Sequence, residues 1–507
     1  MKRTALFSLN NTTDADRFAE QLIKAGWDII ASRETVDLLR MKGLPVQDIA
    51  DFTGVKENYG FPPTMHAKVE YAATADGQPR IDLVYVIPYP LSKGNDVGGR
   101  TLLALAVKGG RIAVMDVADM KKVVSTIVGS GDVPESMRKE LADKACFEIA
   151  RHYAALAADS GKYGVLAGRL AYPLLNGENP YQVPAAAFVS DGENDALSLL
   201  NFRRVSGEAP CFTNAADADC ILKTLCLASE AFVRNTGSLP FLCVAAKHGN
   251  ACGIGVSTSS PAQAVEKALF GNPRSIWGGE VITNFPIDGQ LSELFIRSER
   301  RERILGDGTW MLDVVMAPSF TQEAVSAMGK RHGRKLLENH ALLAPSLKKT
   351  GFEHRMVRGG FLRQPPATYV LDLQACQGEK RNLTEHETAS LIVAWVAVFS
   401  SNHGGNETAL AKDGALLGVG GGPSTVEAAK VAVERAKECG HDTRGAAFAA
   451  DAFFPFTDAP AVLCDAGVAI GCVPGGGKRE SEIRDLFHHR GTAVAYIPEE
   501  FRGFCRH

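Results

Sequence analysis

Three short segments of the chain hold polar side chains of the types that bind small molecules and move protons. They read GENPYQ at Gly177 to Gln182, AAKHGNACG at Ala245 to Gly253 and ADAFFPFTD at Ala450 to Asp458. Each places a few polar groups among apolar, glycine or proline residues, which is typical of a buried site with convergent polar atoms. The middle segment contributes the adjacent pair Lys247 and His248, a positive charge beside a group that exchanges protons near neutral pH.

Lys247 and His248 can serve one ligand only where the backbone turns, because neighbouring side chains on a strand point to opposite faces. Gly249, Asn250 and Gly253 follow the pair, and glycine and asparagine favour tight turns. We therefore expect a turn at this position. The simpler interpretation of such a pair is a surface lysine next to a histidine that is satisfied within the core.

These segments resemble the bifunctional AICAR transformylase/IMP cyclohydrolase family of purine biosynthesis, and the resemblance covers the chain from end to end. That family carries a Lys-His-x-Asn/Ser-x-x-Gly segment, a Gly-x-Asn-Pro-x-Gln segment and a Ser-Asp-Ala-Phe-Phe-Pro-Phe segment. All three recur here, with Ala450 where the family usually has serine. The resemblance implies a fold, two sites and their ligands, each of which is an expectation at this stage.

The resemblance implies a formyltransferase site around Lys247 and His248. The aromatic amine of AICAR is a weak nucleophile, so its formylation needs a base for its proton and donors for the developing oxyanion. By resemblance, His248 is the base, Lys247 is its electrostatic partner, and an asparagine orients the transferred group. Counting back from the Lys-Asp-Gly segment at 412–414 selects Asn406, whereas a two-residue insertion would select Asn402.

The resemblance also implies contacts for both ligands of this site. The expected formyl donor is 10-formyltetrahydrofolate, with Asn250, Gly253, Phe453, Phe454, Pro455 and Asp458 as its expected contacts. The expected AICAR contacts are Asn179, Gln182, Arg502 and Phe504. Aromatic clusters are otherwise core residues. The family's Arg-Tyr pair is replaced here by Leu175 and Asn176, so a cationic partner of the nucleotide is missing.

A second site is implied near the N-terminus, where formyl-AICAR would close to IMP. Ring closure requires proton removal, oxyanion stabilisation and proton delivery. The family's residues for this step fall on Tyr89, Asp96 and Lys108, with Thr64 and Lys68 as substrate contacts. A simpler interpretation is that Asp96 caps a helix and Lys108 complements its C-terminal dipole. A straight helix would hold these two residues about 18 Å apart.

The segments that would bind phosphate differ from the family pattern. Residues 10–14 and 31–35 have lost its glycines, and Glu34 would repel a phosphate unless Arg33 compensates. Near the C-terminus, Gly420 to Gly422 and Gly475 to Gly477 each precede a predicted helix. We expect loops there that present backbone N–H groups to an anion. Ser424 and Glu427 offer a plainer explanation of the first, a capping box.

Composition excludes several classes of protein. The 507 residues carry a net charge of −3 and no block of five or more Lys and Arg, which argues against a nucleic-acid partner. The longest apolar run, Leu391 to Phe399, is about half of the ~20 residues that span a bilayer. We therefore expect no membrane segment and a cytoplasmic protein. The 11 cysteines lack Cys-x-x-Cys spacing, so we expect core thiols and no catalytic metal.

The pattern of elements predicts α/β architecture throughout. Residues 1–165 alternate strand and helix signals, as in a doubly wound sheet, and residues 166–507 form a larger mixed α/β region. Predicted strands lie at Thr4 to Ser8, Trp27 to Ala31, Ile81 to Leu91 and Arg111 to Val117; predicted helices begin near Asp14 or span Arg100 to Lys108 and Glu135 to Ala157. By resemblance, the first region is a methylglyoxal-synthase-like IMP cyclohydrolase domain with connecting helices. The second is an AICAR formyltransferase domain of two similar cytidine-deaminase-like subdomains.

We therefore expect a bifunctional, metal-independent enzyme that acts on small molecules, AICAR and formyl-AICAR. By resemblance it is a homodimer with the transferase site at the subunit interface. Two alternatives stay open: a formyltransferase with an inactive N-terminal domain, and a nucleotide-binding regulatory protein that has lost catalysis. A zinc deaminase is disfavoured because the chain has neither a His-x-Glu nor a Pro-Cys-x-x-Cys segment.

Overall fold

The computed structural model describes residues 2–55, 62–190, 195–378 and 382–503. The chain divides into two compact units, Met1–Ala167 and Gly168–His507.

The first unit is built on a parallel sheet. Its strands are β1 (Thr4–Leu9), β2 (Asp28–Ala31), β3 (Val46–Asp48), β4 (Leu83–Ile87) and β5 (Ile112–Val114). They lie side by side in the order β3-β2-β1-β4-β5. The strands are short apolar runs, as expected for a parallel sheet whose two faces are both covered.

Helices cover both faces of this sheet. They are α1 (Ala15–Lys24), α2 (Arg33–Met41), α3 (Ile49–Thr53), α4 (Ala67–Thr74), α5 (Val97–Lys108), α6 (Val117–Ser130) and α7 (Glu135–Ala158). Phe18 of α1 and Val123 of α6 are buried in the core of one face, and Val69 of α4 and Leu102 of α5 in the core of the other. The predicted doubly wound α/β fold is confirmed.

Three elements differ in their bounds from the sequence prediction for local reasons. The strand predicted over Arg111 to Val117 is only Ile112–Val114, because Asp116 caps α6 by accepting the Asp119 N–H at 2.8 Å. The strand predicted over Ile81 to Leu91 is only Leu83–Ile87, because prolines at 88 and 90 cannot donate to a sheet ladder. Helix α5 begins at Val97, before the predicted start at Arg100. The Asp96 carboxylate accepts the Gly99 N–H at 2.7 Å and so caps the first turn.

The strands of the second unit fall into two hairpins and one large sheet. They are β6 (Arg169–Leu174), β7 (Ala185–Val189), β8 (Arg203–Ser206), β9 (Phe241–Lys247), β10 (Asn250–Ser257), β11 (Gly279–Thr283), β12 (Leu312–Ala317), β13 (Lys335–Glu338), β14 (Glu353–Val357), β15 (Gly360–Gln364), β16 (Gln377–Gly378), β17 (Asn406–Lys412), β18 (Ala415–Gly422), β19 (Ala447–Ala450), β20 (Ile470–Pro474) and β21 (Ala493–Ile497). Strands β6 and β7 pair with each other, as do β14 and β15.

The helices of this unit are α8 (Phe212–Thr236), α9 (Pro261–Leu269), α10 (Gly289–Ser292), α11 (Glu299–Leu305), α12 (Gln322–Met328), α13 (Glu385–Ser400), α14 (Thr425–Glu438), α15 (Asp458–Asp465) and α16 (Glu480–His489). The long helices α8 and α13 share one core with the middle strands of the large sheet.

The large sheet is made of two similar halves. Its order is β16-β21-β20-β19-β17-β18-β10-β9-β11-β12-β13-β8. Each half starts with an antiparallel hairpin, β9–β10 or β17–β18, and continues through three mutually parallel strands, β11 to β13 or β19 to β21. The halves meet where β10 pairs with β18. The predicted mixed α/β class is confirmed, and the sheet order reveals the repeat that the sequence alone does not show.

The expected anion-binding glycine loops are not free to bind an anion. Gly420 to Gly422 lie within strand β18, where Gly420 packs directly against the backbone of α14. Ser424 caps α14 by accepting the Glu427 N–H at 3.3 Å, which is one of the two hydrogen bonds of the predicted capping box. In the second loop, the Glu480 carboxylate accepts the Gly476 N–H at 2.7 Å. An acidic side chain of the protein itself already takes that donor.

Candidate active sites

Lys247 and His248 lie at a tight turn between β9 and β10. Lys247 is the last residue of β9 and Asn250 the first of β10. His248 has φ 54° and Gly249 has φ 65°, so both are left-handed, as two-residue hairpin turns of this kind require. The expected turn is confirmed. A left-handed conformation is costly for a residue other than glycine, and such strain is concentrated at functional sites.

The turn lines a polar cavity of about 380 Å³, which we call the hairpin cavity. Its lining includes Lys247, His248, Asn250, Cys252, Asn272, Ser275, Asn402, His403, Gly418, Val419 and Arg435. The Asn402 N–H donates to Asn250 Oδ1 at 2.8 Å, which holds the loop after α13 against the hairpin. The expected lysine, histidine and one folate contact, Asn250, thus come together.

Asn402 and Asn406, the two candidates for the orienting asparagine, lie on different cavities. Asn402 lies on the hairpin cavity with Lys247 and His248. Asn406 lies on a separate, aromatic cavity, and its Nδ2 donates to Pro423 O at 3.2 Å. The geometry therefore favours Asn402 as the orienting asparagine, whereas counting along the chain selects Asn406.

Two buried groups next to the hairpin, Glu280 and Cys252, have raised pKa values. Burial raises the pKa of Glu280 to about 9, although the nearby charge of Lys247 opposes the shift. The Glu280 carboxyl therefore holds its proton at neutral pH. Burial also raises the pKa of Cys252 to about 12, so this thiol is not a nucleophile at neutral pH. The Lys247 ammonium donates to Gly278 O at 2.6 Å, which fixes its position.

Sequence reasoning missed His403, which also lines the hairpin cavity. Its ring Nδ1 lies 2.8 Å from Glu407 Oε2, and Glu407 is buried. The signal in the sequence is the segment SNHGGNE at Ser401 to Glu407, which places a histidine and a glutamate four residues apart around two glycines.

The aromatic cavity, of about 660 Å³, gathers half of the other expected transferase residues. Its lining includes Asn406, Phe453, Pro455, Phe456, Asp458 and Arg502. The Arg502 guanidinium lies 5.5 Å from the centre of the Phe453 ring. Apolar ring faces beside one cation and one carboxylate suit a flat heteroaromatic ligand with polar edges.

Several expected ligand contacts lie elsewhere. Phe454 is buried against Phe487, so it is a residue of the hydrophobic core. Gly253 is buried in β10, where a side chain would run into the Ala268 carbonyl of α9. Both residues pack elements together and line neither the hairpin cavity nor the aromatic cavity. Phe504 lies outside the described residues.

Asn179 and Gln182 lie on the exposed connection between β6 and β7. Asn179 Nδ2 donates to Gln182 Oε1 at 2.9 Å, so the two side chains bind each other. Neither lines the hairpin cavity or the aromatic cavity.

A third cavity, of about 700 Å³, lies in the first unit beyond the carboxyl ends of β1 to β4, and we call it the strand-end cavity. This is where open parallel sheets bind ligands. Its lining includes Ser8, Asn10, Ser32, Glu34, Asp48, Thr64, Tyr89, Asn95 and Asp96. Three expected residues, Thr64, Tyr89 and Asp96, are therefore together.

Asp96 and Lys108 stand at opposite ends of α5. The Asp96 carboxylate accepts N–H groups from Gly99 at 2.7 Å and Tyr89 at 3.1 Å. Lys108 is exposed at the last turn of the helix and does not line the cavity. Lys68 is also exposed, and its ammonium donates to Phe52 O at 2.5 Å. The capping interpretation thus describes Asp96, and the geometry separates both lysines from the cavity.

The strand-end cavity is acidic. Among its described lining residues, the charged side chains are Glu34, Asp48 and Asp96. Lys93 reaches its edge, where the ammonium lies 3.3 Å from Asn10 Oδ1. The Arg33 side chain, expected to compensate Glu34, lies outside what the structure describes. Among the described residues, Lys93 thus brings a positive charge to the edge of this cavity.

Within the described residues, no group of three or more His, Cys, Asp or Glu side chains could hold a metal ion. None of the helices in the described ranges is long and apolar enough to cross a membrane.

These features define an α/β protein with separate small-molecule cavities in its two units, one at the end of a parallel sheet and one at a strained Lys-His turn. Residues 111–435 match the AICARFT/IMPCHase bienzyme family. The chain belongs to this family.

Curated relatives match along almost the whole chain. The bifunctional purine biosynthesis protein PurH of Anoxybacillus flavithermus is 31% identical over 544 residues, with 98% of each chain covered. The protein of the same name from Enterococcus faecalis is 30% identical, again with 98% of each chain covered. A solved structure titled "Crystal structure of ForH" is 27% identical over 31% of this chain and 98% of its own, but its TM-score of 0.29 supports no conclusion about the fold.

Proposed function

We propose that this chain converts AICAR to IMP in two steps: formyl transfer in the second unit, then ring closure in the first. The observation that carries the proposal is the left-handed Lys247–His248 turn on a polar cavity, in a chain that matches PurH over 98% of its length. The formyl donor is a reduced folate, 10-formyltetrahydrofolate.

In the first step the exocyclic amine of AICAR attacks the formyl carbon of the donor. The new C–N bond forms, the bond from the formyl carbon to N10 breaks, the amine loses one proton and N10 gains one. His248 takes the amine proton, and Lys247 stabilises the negative charge that develops on the formyl oxygen. Asn402 orients the formyl group, because it shares the hairpin cavity with both residues.

The folate ring system binds in the aromatic cavity. Phe453, Pro455 and Phe456 offer apolar surfaces, while Asp458 and Arg502 offer a hydrogen-bond acceptor and donors. Such a mixture of apolar walls and a few polar groups is typical of small-molecule sites.

The repeat in the large sheet offers a matched test of formyl transfer. Lys247 ends β9 and Lys412 ends β17, and each ammonium donates to a backbone carbonyl, at 2.6 Å and 2.7 Å. We expect Lys247→Met to lower kcat for formyl transfer strongly and Lys412→Met to leave it unchanged. Chromatography of AICAR incubated with 10-formyltetrahydrofolate measures both. Equal rates for the two variants would contradict the role of Lys247.

In the second step the carboxamide nitrogen of formyl-AICAR attacks the formyl carbon and water leaves. Tyr89 and Asp96 serve this step in the strand-end cavity, and Thr64 contacts the substrate. The phenol of Tyr89 can donate or accept a proton, whereas Asp96 orients the loop through its two backbone partners. Lys93 replaces the family's missing phosphate contacts.

Supplying formyl-AICAR directly isolates ring closure. We expect Tyr89→Phe to slow IMP formation by about 10²–10⁴-fold, the usual size of a general acid–base contribution. Lys108→Ala should leave the rate unchanged, because Lys108 is exposed at the far end of α5. A large loss in Lys108→Ala would instead support the role that the family resemblance implies for this lysine.

A formyltransferase with an inactive first unit is the second candidate function. It is favoured by the carboxylates of Glu34 and Asp48 in the strand-end cavity, and by the position of Lys68 and Lys108 away from it. Under this candidate, wild-type protein releases formyl-AICAR and does not consume it.

We also infer that the chain forms a homodimer through the β6–β7 hairpin. Leu170 and Phe188, paired across it, are each 60% exposed, and Val183 is 63% exposed. Exposed apolar clusters of this kind mark interaction surfaces. Asn179 and Gln182 lie on the same hairpin, so a second copy packed there would supply them to the transferase site of its partner.

A further inference from the structure

His403 is held in the hairpin cavity by a buried carboxylate. Its Nδ1 lies 2.8 Å from Glu407 Oε2, and its backbone N–H donates to the other carboxylate oxygen, Glu407 Oε1. The His403 side chain is 12% exposed and that of Glu407 is 2% exposed. Because Glu407 engages both the ring and the backbone, the imidazole has one fixed orientation.

The fold makes specific room for this pair. A methyl group built at Gly421 of β18 would lie 2.5 Å from Glu407 Oε1 and 2.7 Å from His403 Cβ. With Nδ1 engaged by Glu407, Nε2 is the ring atom left for a ligand, and it has no hydrogen-bond partner among the described residues. A histidine oriented through Nδ1 by a carboxylate, with Nε2 free, is the arrangement of an acid–base group.

A second buried carboxyl supports the pair from behind. The Glu407 N–H donates to Asp451 Oδ1 at 2.9 Å, and the Asp451 N–H donates to Glu407 O at 3.2 Å. Asp451 is 1% exposed, and its Oδ2 has no partner among the described residues. Asp451 adjoins Ala452 and Phe453 of the aromatic cavity, so the row His403, Glu407, Asp451 runs between the two transferase cavities.

We propose that His403, positioned by Glu407, is the acid that returns a proton to N10 of the folate as the formyl group leaves. This assignment rests on the proposed formyl transfer. The amine proton goes to His248, the proton on His403 Nε2 goes to N10, and the two imidazoles exchange protons with water between turnovers. No oxidant, reductant or metal is required. Glu407 is a positioning residue, since it acts only through His403.

The other ionisable groups on the hairpin cavity are Lys247 and His248 at the turn, Cys252 on β10 and Arg435 on α14. Lys247 and Arg435 are cations and cannot orient the imidazole as an anion does. The buried Glu407 and Asp451 carboxyls are the acidic groups behind His403.

The test compares His403→Gln and Glu407→Gln with wild-type protein in steady-state formyl transfer across pH. We expect His403→Gln to lower kcat by about 10²–10⁴-fold with KM little changed. The fall of wild-type kcat at high pH, where the acid loses its proton, should disappear in this variant. Glu407→Gln should also lower kcat with KM little changed, because the His403 ring loses the carboxylate that orients it.

His386→Gln is the matched control, since His386 is 79% exposed at the start of α13, away from the cavity. It should match wild type in kcat and pH profile. Wild-type kinetics in His403→Gln, or a change in KM alone, would overturn the assignment while leaving the proposed function intact. Absence of formylated product from the wild type would overturn both. Thermal melting of each variant separates loss of the acid from loss of the fold. If His403→Gln is less active only because part of it is unfolded, and the folded fraction has wild-type kcat, the assignment is wrong.

Discussion

His248 and Asp413 occupy equivalent positions in the two halves of the large sheet. Each follows a lysine that ends the first strand of a hairpin, each precedes a glycine, and their φ angles are 54° and 51°. The backbone strain is therefore the same at both turns. Of the two, only His248 lies on the hairpin cavity, so the proposed function gives the strained geometry a chemical use in one half alone.

Replacing either residue by glycine should therefore separate strain from chemistry. A left-handed conformation costs a residue other than glycine about 1–2 kcal/mol. Glycine avoids this cost, but its greater freedom in the unfolded chain offsets about half of the gain, about 0.5–1 kcal/mol. We expect His248→Gly and Asp413→Gly to keep the free energy of unfolding within about 1 kcal/mol of wild type. His248→Gly should lose formyl transfer and Asp413→Gly should retain it. Denaturant melts and product assays check both, and loss of activity in Asp413→Gly would contradict the distinction.

Glu280 gives the protein a pH-dependent stability. Burial raises its pKa in the folded state to about 9, above the ordinary carboxyl range of the unfolded chain. Between these values the unfolded state has released the proton that the folded state still holds. The free energy of unfolding therefore falls as pH rises through this window, and it stops falling above the pKa of Glu280 in the folded state.

We expect Glu280→Gln to stabilise the protein more at pH 9 than at pH 6, because glutamine has no proton to lose. Urea denaturation of both proteins at the two pH values measures the difference. Parallel pH dependence of the two free energies would show that Glu280 ionises normally in the folded protein.

At the scale of elements, strand β18 shows how a glycine pattern can mislead. Gly418 and Gly420 face α14 at distances that leave no room for a side chain, just as Gly253 and Gly255 of β10 face α9. The glycines serve close packing of strand and helix, once in each half. A glycine cluster before a helix predicts an anion loop only because sequence cannot distinguish a loop from a tightly packed strand.

Gly420→Ala should accordingly destabilise the second unit by about 1–3 kcal/mol, the usual cost of overpacking a close contact. Gly360→Ala in β15 is the control, because nothing lies within 4 Å of the added methyl group. Chemical denaturation measures both. A Gly420→Ala protein as stable as the control would mean that α14 can move away from the sheet without cost.

Elements with strong periodic patterns can be predicted from sequence. The pattern predicts a helix over Glu135 to Ala157, and α7 spans Glu135–Ala158; α1 begins beside Asp14, as predicted. The duplication is not visible in the sequence, although the Ala-Lys-His-Gly and Ala-Lys-Asp-Gly turns of its two halves are present in the chain. A four-residue match that differs at its third position is too short to reveal a duplication until the pairing of the surrounding strands is known.

The site is predictable where a local motif carries it. The turn at Lys247 and His248 follows from neighbouring glycine and asparagine, and its φ angles confirm it. Asn402 and His403 lie on the cavity because of the course of the loop between α13 and β17, which counting along the chain cannot give. The role expected of Lys108 comes from a family motif alone. Its exposed position follows from the straight course of α5, and a short motif gives no information about that course.

At the scale of the whole molecule, the proposed homodimer links assembly to one activity only. Leu170→Glu with Phe188→Glu should make the protein monomeric in light scattering, because it places charges on the exposed face of the β6–β7 hairpin. Formyl transfer should fall, since Asn179 and Gln182 would no longer reach a partner's site. Ring closure should persist, because the strand-end cavity is contained in the first unit.

Val128→Glu is the control for added charge, because Val128 is a 58% exposed residue of α6. This variant should have the dimer mass in light scattering and should keep both activities. A wild-type protein that is monomeric and fully active would contradict the role of the hairpin.

The decisive measurement is the product that wild-type protein forms from AICAR and 10-formyltetrahydrofolate, resolved by chromatography with mass detection. We predict IMP from the wild type and unchanged AICAR with His248→Gly. Accumulation of formyl-AICAR by the wild type would contradict ring closure in the strand-end cavity. No product at all from a protein that still binds AICAR would contradict catalysis and favour a nucleotide-binding regulatory protein.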